Sequence, residues 1–336
     1  MSATTKGSAG EGRFARIGRG VAANPVIPLI VVLIGLLAVL QIMRPGIVLD
    51  PETFLPNDRW FANTVKFAIP LAMLAACQTL TMLTGGIDLS AAVVATIAAF
   101  VMATQVGTLG APLAMLVALV PGVLIGLVNG FGVGICRVHP LIMTLGSGLV
   151  GTGCLQVYQR TVIASGSSIP PVLEWLGTGR TWGFPNALVL FLPFAALILW
   201  AEKRSGFGRL LYALGDNERA AKLSGVRAWQ VYMALYVLVA VIAGITGLLY
   251  VGLIKAPSLS LAEPLLLPSV AAAVIGGTSI FGGRGGFAGT IVGALILRVT
   301  DTMLTLAKIP EGARVAIFGL IILGVTAAYV RLSNQR

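Results

Sequence analysis

Long runs of apolar residues alternate with short polar segments along this chain, and the lengths of the runs predict membrane-spanning helices. About twenty apolar residues are needed to cross a bilayer. On that rule we predict ten spans, at residues 25–43, 61–84, 90–104, 112–135, 139–159, 185–201, 229–251, 264–281, 286–304 and 312–330. The span at 90–104 is short, and the pairs Gly85-Gly86 and Gly276-Gly277 indicate interrupted helices. The predicted fold class is all-α: a polytopic integral membrane protein of about ten transmembrane helices, some of them broken.

The composition agrees with a membrane protein. Of the 336 residues, 57% are hydrophobic and 10% are charged, and the mean hydropathy of +0.94 excludes an average soluble globular chain. The net charge of +11 would suggest nucleic-acid binding in a soluble protein, but here the basic residues sit between apolar runs and act as topology signals. We therefore predict no nucleic-acid partner. A single transmembrane domain, 25–330, is expected between a basic tail at 1–24 and a short tail at 331–336.

The distribution of basic residues predicts the orientation. If both termini are inside, fourteen of the 23 lysines and arginines lie in inner segments and nine lie outside or near the outer ends of spans. The positive-inside rule favours this arrangement. Both termini and the loop at 202–228 are therefore predicted to be cytoplasmic, in a multi-pass membrane protein.

One long polar segment, Phe207 to Gly225, lies between two membrane-length apolar runs. Its second half predicts a short helix over Asp216 to Leu223, with an Asp-Asn start suited to N-capping and Gly225 just past the end. Two interpretations stand side by side. The helix is either a docking element, where Ala220, Ala221 and Gly225 let a partner's backbone approach, or an ordinary solvated loop helix.

Few polar residues interrupt the apolar spans. Those that stand out are Gln78, Asp88, Asn129, Thr144, Arg298 and Asp301. Ionisable groups inside a membrane are candidates for function. Arg298 and Asp301 are three apart and can pair on one helix, which is a structural explanation, whereas Asp88 has no local cation and is the sharper candidate.

Glycines at four-residue spacing predict flat helix faces. Gly122, Gly126, Gly130 and Gly134 form one such series. A second series follows at Gly285, Gly289 and Gly293. Ridges of this kind let two helices pack backbone to backbone.

Several kinds of chemistry are missing from the sequence. It contains no Walker-type G-x-x-x-x-G-K-[ST] motif, so no nucleotide cofactor is predicted. The single histidine, His139, and three cysteines without C-x-x-C spacing give no metal site. The chain also lacks the series of buried carboxylates and histidines that proton-driven carriers use. We predict a protein that is not an enzyme and whose energy comes from a source outside this chain.

Four separated blocks carry a resemblance to a known family. They are L-T-G-G-I-D-L-S at 83–90, G-L-V-N-G at 126–130 with H-P-L-I-M-T-L-G at 139–146, the segment at 207–225, and A-A-A-V-I-G-G-T-S-I-F-G-G-R-G-G-F-A-G-T-I-V-G-A-L at 271–295. In this order they resemble the permease subunits of bacterial ABC importers of the ribose and simple-sugar type.

The resemblance implies a bacterial inner membrane as the location, and it also implies partners and site residues. A cytoplasmic coupling helix would contact a separate ABC ATPase subunit, and the residues assigned to this contact are Arg209, Asp216, Glu218, Ala220, Ala221, Leu223 and Gly225. The residues assigned to the translocation path are Gly85, Gly86, Asp88, Ser90, Asn129, Thr144, Gly276, Gly277 and Thr278. The other implied partners are a periplasmic solute-binding protein, a second permease copy or paralogue, membrane lipid and a small-molecule solute.

One departure leaves the solute open. Many sugar permeases of this type have an acidic E-L-D where this chain has Leu266-Leu267-Pro268. A simple sugar or related polyol is the expected solute. Branched-chain amino-acid or nucleoside permeases are the alternative within the same class, and a secondary carrier working alone is the alternative from another class.

Overall fold

A computed structural model describes residues 26–51, 53–162 and 166–333 of the chain, and this part is a bundle of α-helices. Its helices are α1 Val26–Met43, α2 Asp58–Leu83, α3 Ala91–Leu109, α4 Ala111–Gly134, α5 Pro140–Val162, α6 Pro171–Thr178, α7 Ala187–Arg204, α8 Gly206–Leu223, α9 Ala228–Ile254, α10 Glu263–Ile275, α11 Phe287–Leu306 and α12 Glu311–Ser333. Two strands of two residues each, β1 Arg180–Thr181 and β2 Phe184–Pro185, pair antiparallel in a short hairpin. The predicted all-α class is confirmed. The predicted tail at 1–24 lies outside the described residues, and α12 continues to Ser333, into the predicted C-terminal tail.

Seven helices of the described chain are long and apolar enough to cross a membrane, namely α1 to α5, α9 and α11. The short span predicted at 90–104 was wrong in its length, because α3 runs for 19 residues to Leu109. The span predicted at 264–281 is also corrected, because α10 ends at Ile275 after 13 residues. Both predicted helix breaks are confirmed, and ten crossings stays a prediction.

The connections between helices gather at the two ends of the bundle. At one end, the carbonyl of Leu83 after α2 accepts a hydrogen bond from the N–H of Gly283 before α11, at 3.0 Å. At the other end, Lys66 Nζ near the start of α2 donates to the carbonyl of Thr178 at 3.3 Å, and Lys255 pairs with Glu174 at 3.3 Å. The first is called the coupling end below, because α8 lies there.

The centre of the bundle depends on the glycine ridge of α4. A Cβ added to Gly126 would lie 2.6 Å from the carbonyl oxygen of Tyr236 in α9, and one added to Gly130 would lie 2.8 Å from the Cα of Met233. Atoms that close overlap, so only glycine permits this approach. The predicted ridge is confirmed for α4. In the second series, Gly289 and Gly293 of α11 pack in the same way on the backbone of α10, whereas Gly285 lies in the turn before α11.

The ridge can be tested by making the same substitution, glycine to alanine, at one position inside the ridge and at one position outside it. Gly126→Ala should lower the free energy of unfolding by about 1–3 kcal/mol, because the new methyl group meets a backbone carbonyl. Gly153→Ala in α5 should be neutral or stabilise by about 0.4–1 kcal/mol, because no atom of the described residues would lie within 4 Å of the new Cβ. Thermal unfolding of the detergent-purified protein measures both, and equal melting temperatures would contradict the packing described here.

Candidate coupling site

Three segments that are far apart in sequence meet at the coupling end. The N–H of Gly283 bonds to the Leu83 carbonyl, and Gly215 of α8 packs against that same carbonyl so closely that a Cβ would collide with it. A Cβ on Gly282 would lie 3.0 Å from the backbone nitrogen of Gly85. The glycines of all three segments are thus required by mutual contact, and the segments form one junction.

Helix α8 changes direction in its middle. Asn217 has an extended backbone, with φ −158° and ψ 96°, and its side-chain oxygen accepts a hydrogen bond from the N–H of Ala220 at 3.0 Å. This geometry makes Asn217 the N-cap of a second, shorter helix. The capped helix predicted within 216–223 is therefore confirmed, and it continues a preceding helical segment that begins at Gly206.

The end of α8 is closed by a glycine turn. The N–H of Gly225 bonds to the carbonyl of Lys222 at 3.0 Å, and the N–H of Val226 bonds to the carbonyl of Ala221 at 3.1 Å. Gly225 has φ +88°, which a residue with a Cβ adopts only at a cost. This pair of bonds is the Schellman motif, and it fixes where α8 ends and the loop to α9 begins.

The residues assigned to ATPase coupling differ in exposure. Exposed at the surface are Arg209, Asp216, Ala220, Leu223 and Gly225, and the Leu223 side chain is 84% exposed. Glu218 is half-buried and pairs with Lys222 one turn along and with Arg137, at 3.7 Å, from the loop before α5. Ala221 is 7% exposed and packs into the protein's own core. Its small size thus serves the packing of this protein, and a contact of Ala221 with a partner stays a prediction.

A buried carboxylate joins α8 to the start of α11. Glu202, at the end of α7, is 4% exposed, and its Oε2 accepts a hydrogen bond from the N–H of Phe287 at 2.8 Å. Its Oε1 accepts one from the hydroxyl of Tyr212 in α8, at 2.6 Å, and that hydroxyl also lies 2.9 Å from the carbonyl of Gly285. Burial, together with Glu202, raises the pKa of Tyr212, so the hydroxyl stays protonated and donates.

Beneath the junction, polar side chains bond to the chain between α2 and α3. The amide of Gln78 donates to the carbonyl of Asp88 at 2.7 Å, and its oxygen accepts from the N–H of the same residue at 3.2 Å. The hydroxyl of Thr144 accepts from the N–H of Leu89 at 3.0 Å and lies 3.2 Å from the carbonyl of Ile87. Two side chains from α2 and α5 therefore satisfy backbone groups that the broken helix leaves free.

The Asp88 carboxylate belongs to the same cluster. Its Oδ1 accepts from both the N–H and the hydroxyl of Ser90, at 2.8 and 2.6 Å, and Asn129 of α4 donates to the Ser90 hydroxyl at 2.9 Å. Each of these side chains is at most 3% exposed. Five predicted polar residues, Gln78 included, thus meet in one place, and their contacts support the helix break. A role of Asp88, Asn129 and Thr144 in a translocation path stays a prediction.

The remaining residues assigned to the path lie in turns beside the junction. Gly86 packs against Pro140 at the start of α5, where a Cβ would be 3.0 Å from the proline Cβ. Gly276 ends α10 against α11, and Gly277 follows with φ +88°. Thr278 is buried, and its hydroxyl accepts from the N–H of Gly286 at 3.4 Å. Gly86 thus belongs to the turn between α2 and α3, and Gly276, Gly277 and Thr278 belong to the turn between α10 and α11.

Comparison with known proteins identifies the family of this chain. Residues 61–326 match the family model described as "Branched-chain amino acid transport system / permease component". The chain belongs to this permease family. Its resemblance to permease subunits of bacterial ABC importers is confirmed.

Curated relatives of this permease family cover most of the chain. The chain is 32% identical over 279 residues to the galactofuranose transporter permease protein YtfT of Escherichia coli K12, and the match covers 82% of this chain and 81% of YtfT. It is 32% identical over 292 residues to the ribose import permease protein RbsC of the same strain, covering 86% and 90%. It is 30% identical over 305 residues to the fructose import permease protein FrcC of Rhizobium meliloti, covering 88% and 82%. No solved structure matches the chain.

Sequence reasoning missed two residues of the permease junction. Glu202 stands beside Lys203 and Arg204 and therefore resembles the charged end of a span, and Tyr212 resembles an ordinary helix residue. The signal that was available is the position of Glu202, because a carboxylate at the end of one helix can cap the N-terminus of another. The partner helix that it caps, α11, begins 85 residues later in the chain.

The cluster under the junction gives a matched pair of substitutions. Thr144→Val keeps the side-chain volume but leaves the N–H of Leu89 without its acceptor, which should cost about 1–3 kcal/mol of the free energy of unfolding. Thr152→Val on the same helix should have little effect, because among the described residues its hydroxyl bonds only to the Gly148 carbonyl one turn back, at 3.1 Å. Thermal unfolding distinguishes them, and a Thr144→Val protein as stable as Thr152→Val would refute the backbone role.

Proposed function

We propose that this permease imports a simple sugar into the cytoplasm, driven by a separate ATPase that docks on the exposed half of α8. The observation that carries the proposal is the junction itself, where α8 contacts the ends of α2 and α11 through Leu83, Gly283 and the Glu202 carboxylate. A subunit without a nucleotide-binding motif needs a mechanical input. The junction is a closely packed contact between the exposed helix α8 and the apolar helices α2 and α11.

The solute class rests on the relatives. Three of them are named for ribose, fructose or galactofuranose, and each covers more than four fifths of this chain. The description of the family model favours one second candidate, a branched-chain amino acid. Uptake of labelled ribose, fructose and leucine by cells that express the complete importer separates the two, because a sugar importer should not accumulate leucine.

The partners follow from the same class of transporter. An ABC ATPase subunit would bind at α8, and a periplasmic solute-binding protein would deliver solute at the opposite end of the bundle. A second permease copy or paralogue would complete the path within the lipid bilayer. The wide apolar groove between α3, α4 and α5, of about 1020 Å³, is of a kind that lipid or another permease covers.

The coupling helix gives a prediction that separates docking from folding. Ala220→Trp should abolish uptake and release the ATPase during co-purification, because Ala220 is exposed and a bulky side chain holds a packed partner away. The permease should remain folded in the membrane. Arg209→Ala should be milder, because an exposed charge commonly contributes about 1 kcal/mol or less.

Substitutions of Gly225 test separately for strain at the end of α8. Gly225→Asn tolerates a positive φ, and no atom of the described chain lies within 4 Å of the new Cβ, so the permease should fold normally. Gly225→Val, by contrast, should strain the end of α8 itself. If Ala220→Trp transports solute at the normal rate with the ATPase still bound, the docking assignment is wrong, and α8 is an ordinary solvated helix.

The orientation of the bundle is the second prediction of the proposal. We propose that the coupling end faces the cytoplasm together with both termini. In a protein without its native cysteines, Ser224→Cys should react only with a membrane-permeant maleimide in intact cells, whereas Trp182→Cys, at a position that is 95% exposed, should react with an impermeant one. Expression without the ATPase keeps Ser224 uncovered, and the reverse labelling pattern would refute the orientation.

A further inference from the structure

A cavity of about 470 Å³ lies between α2, α9, α10, α11 and α12. The cavity lies toward the end of the bundle opposite the junction. Its lining includes Glu263 and Glu311, which are the first residues of α10 and α12 at that end. Apolar and aromatic side chains form most of its wall, and they include Phe67, Leu71, Tyr250, Leu267, Leu297 and Phe318. A cavity of this size accommodates a small molecule.

Charged side chains meet on one wall of this cavity. Asp301 accepts hydrogen bonds from two arginines, from Arg298 Nη1 at 2.8 Å and from Arg314 Nη1 at 2.9 Å. Arg314 also donates to Thr305 at 2.9 Å and pairs with Glu311 at 2.9 Å. The ion pair of Arg298 with Asp301 that the sequence predicted is thus confirmed, but it is part of a larger cluster that also includes α12.

This cluster keeps capacity for further hydrogen bonds. Each guanidinium carries five N–H donors, and within the described chain the one hydrogen bond from the Arg298 side chain is that of Nη1 to Asp301. Arg298 also lies over the ring of Phe67, with its Cζ 4.7 Å from the ring centroid, so its plane is held in place. The side chains of Arg298, Asp301 and Arg314 are each 19–27% exposed, which leaves them in reach of a molecule in the cavity.

The balance of charge restricts the class of ligand. Two guanidinium groups and three carboxylates line the cavity, so its formal charge is −1 and a strongly anionic solute is disfavoured. Paired charges provide donors and acceptors side by side, which suits hydroxyl groups, since each hydroxyl both donates and accepts. The aromatic side chains offer apolar faces to the C–H surface of a ring.

From this chemistry we propose that the cavity is a solute-contact site for a neutral polyhydroxylated ring such as a pentose or hexose. The Arg298–Asp301–Arg314 cluster hydrogen-bonds the hydroxyl groups, while Phe67 and Tyr250 contact the ring. This site deepens the proposed function and rests on it. It also gives the permease a means of selecting its solute in addition to the selection made by a binding protein.

The test uses the importer assembled from permease, ATPase and binding protein in proteoliposomes, with radiolabelled D-ribose and D-fructose as probes. Leu267→Trp fills the cavity from an exposed position and should lower sugar uptake at least about tenfold. ATP hydrolysis by the complex and the yield of folded permease should stay within about twofold of the wild type, because the junction is untouched. Leu320→Trp, an equally large change at an exposed leucine outside the cavity, should transport normally.

A second variant tests the hydrogen bonds rather than the space. Arg298→Lys keeps the charge but removes the planar fork of donors, so the ratio of ribose to fructose uptake should change about fivefold or more, with ATP hydrolysis preserved. If the wild-type importer transports a sugar while Leu267→Trp and Arg298→Lys leave the rate and the ratio unchanged, the cavity is not a solute site. If the wild-type importer transports neither sugar, the proposed function fails, and the ligand class proposed for the cavity fails with it.

Discussion

The hydrogen bond between the N–H of Gly283 and the carbonyl of Leu83 is the contact on which the rest of the structure depends. It joins the end of α2 to the turn before α11, and Gly215 of α8 fits against the same carbonyl. Breaking α2 inside an apolar bundle frees backbone groups, and unpaired groups there cost several kcal/mol each. Gln78 and Thr144 form hydrogen bonds with the backbone groups that follow the break. The polar cluster and the junction therefore both satisfy backbone groups that the end of α2 leaves unpaired.

Much of this arrangement could be predicted from local patterns. Apolar run lengths indicated the helices, the glycine pairs indicated the breaks, and the series that contains Gly126 indicated the close packing of a helix. The Asp-Asn start and Gly225 indicated both ends of the short helix in α8, where Asn217 is the N-cap. These features depend on residues within a few positions of one another, and their physical rules are therefore readable in a single sequence.

Features that depend on distant pairing could not be predicted in the same way. Glu202 caps a helix 85 residues later, and Arg314 completes a cluster on α11 from the following helix. The sequence predicts Ala221 on a docking surface. The direction of its side chain, however, depends on how α8 turns at Asn217, and the side chain is buried in the core. In each case the missing information is which helix lies alongside, and that is decided by the packing of the whole bundle.

Two helices physically connect the junction to the cavity. From Leu83 to Leu71 along α2 is about 18 Å, and from Phe287 to Arg298 along α11 is about 17 Å, at 1.5 Å per residue. The helices are joined between these points by a buried hydrogen bond of 2.7 Å between the hydroxyls of Thr79 and Thr290. Closely packed interiors move as units rather than deform. A displacement of α8 that shifts α2 or α11 as a rigid body therefore also changes the cavity wall, as the proposed coupling of a separate ATPase to solute movement requires.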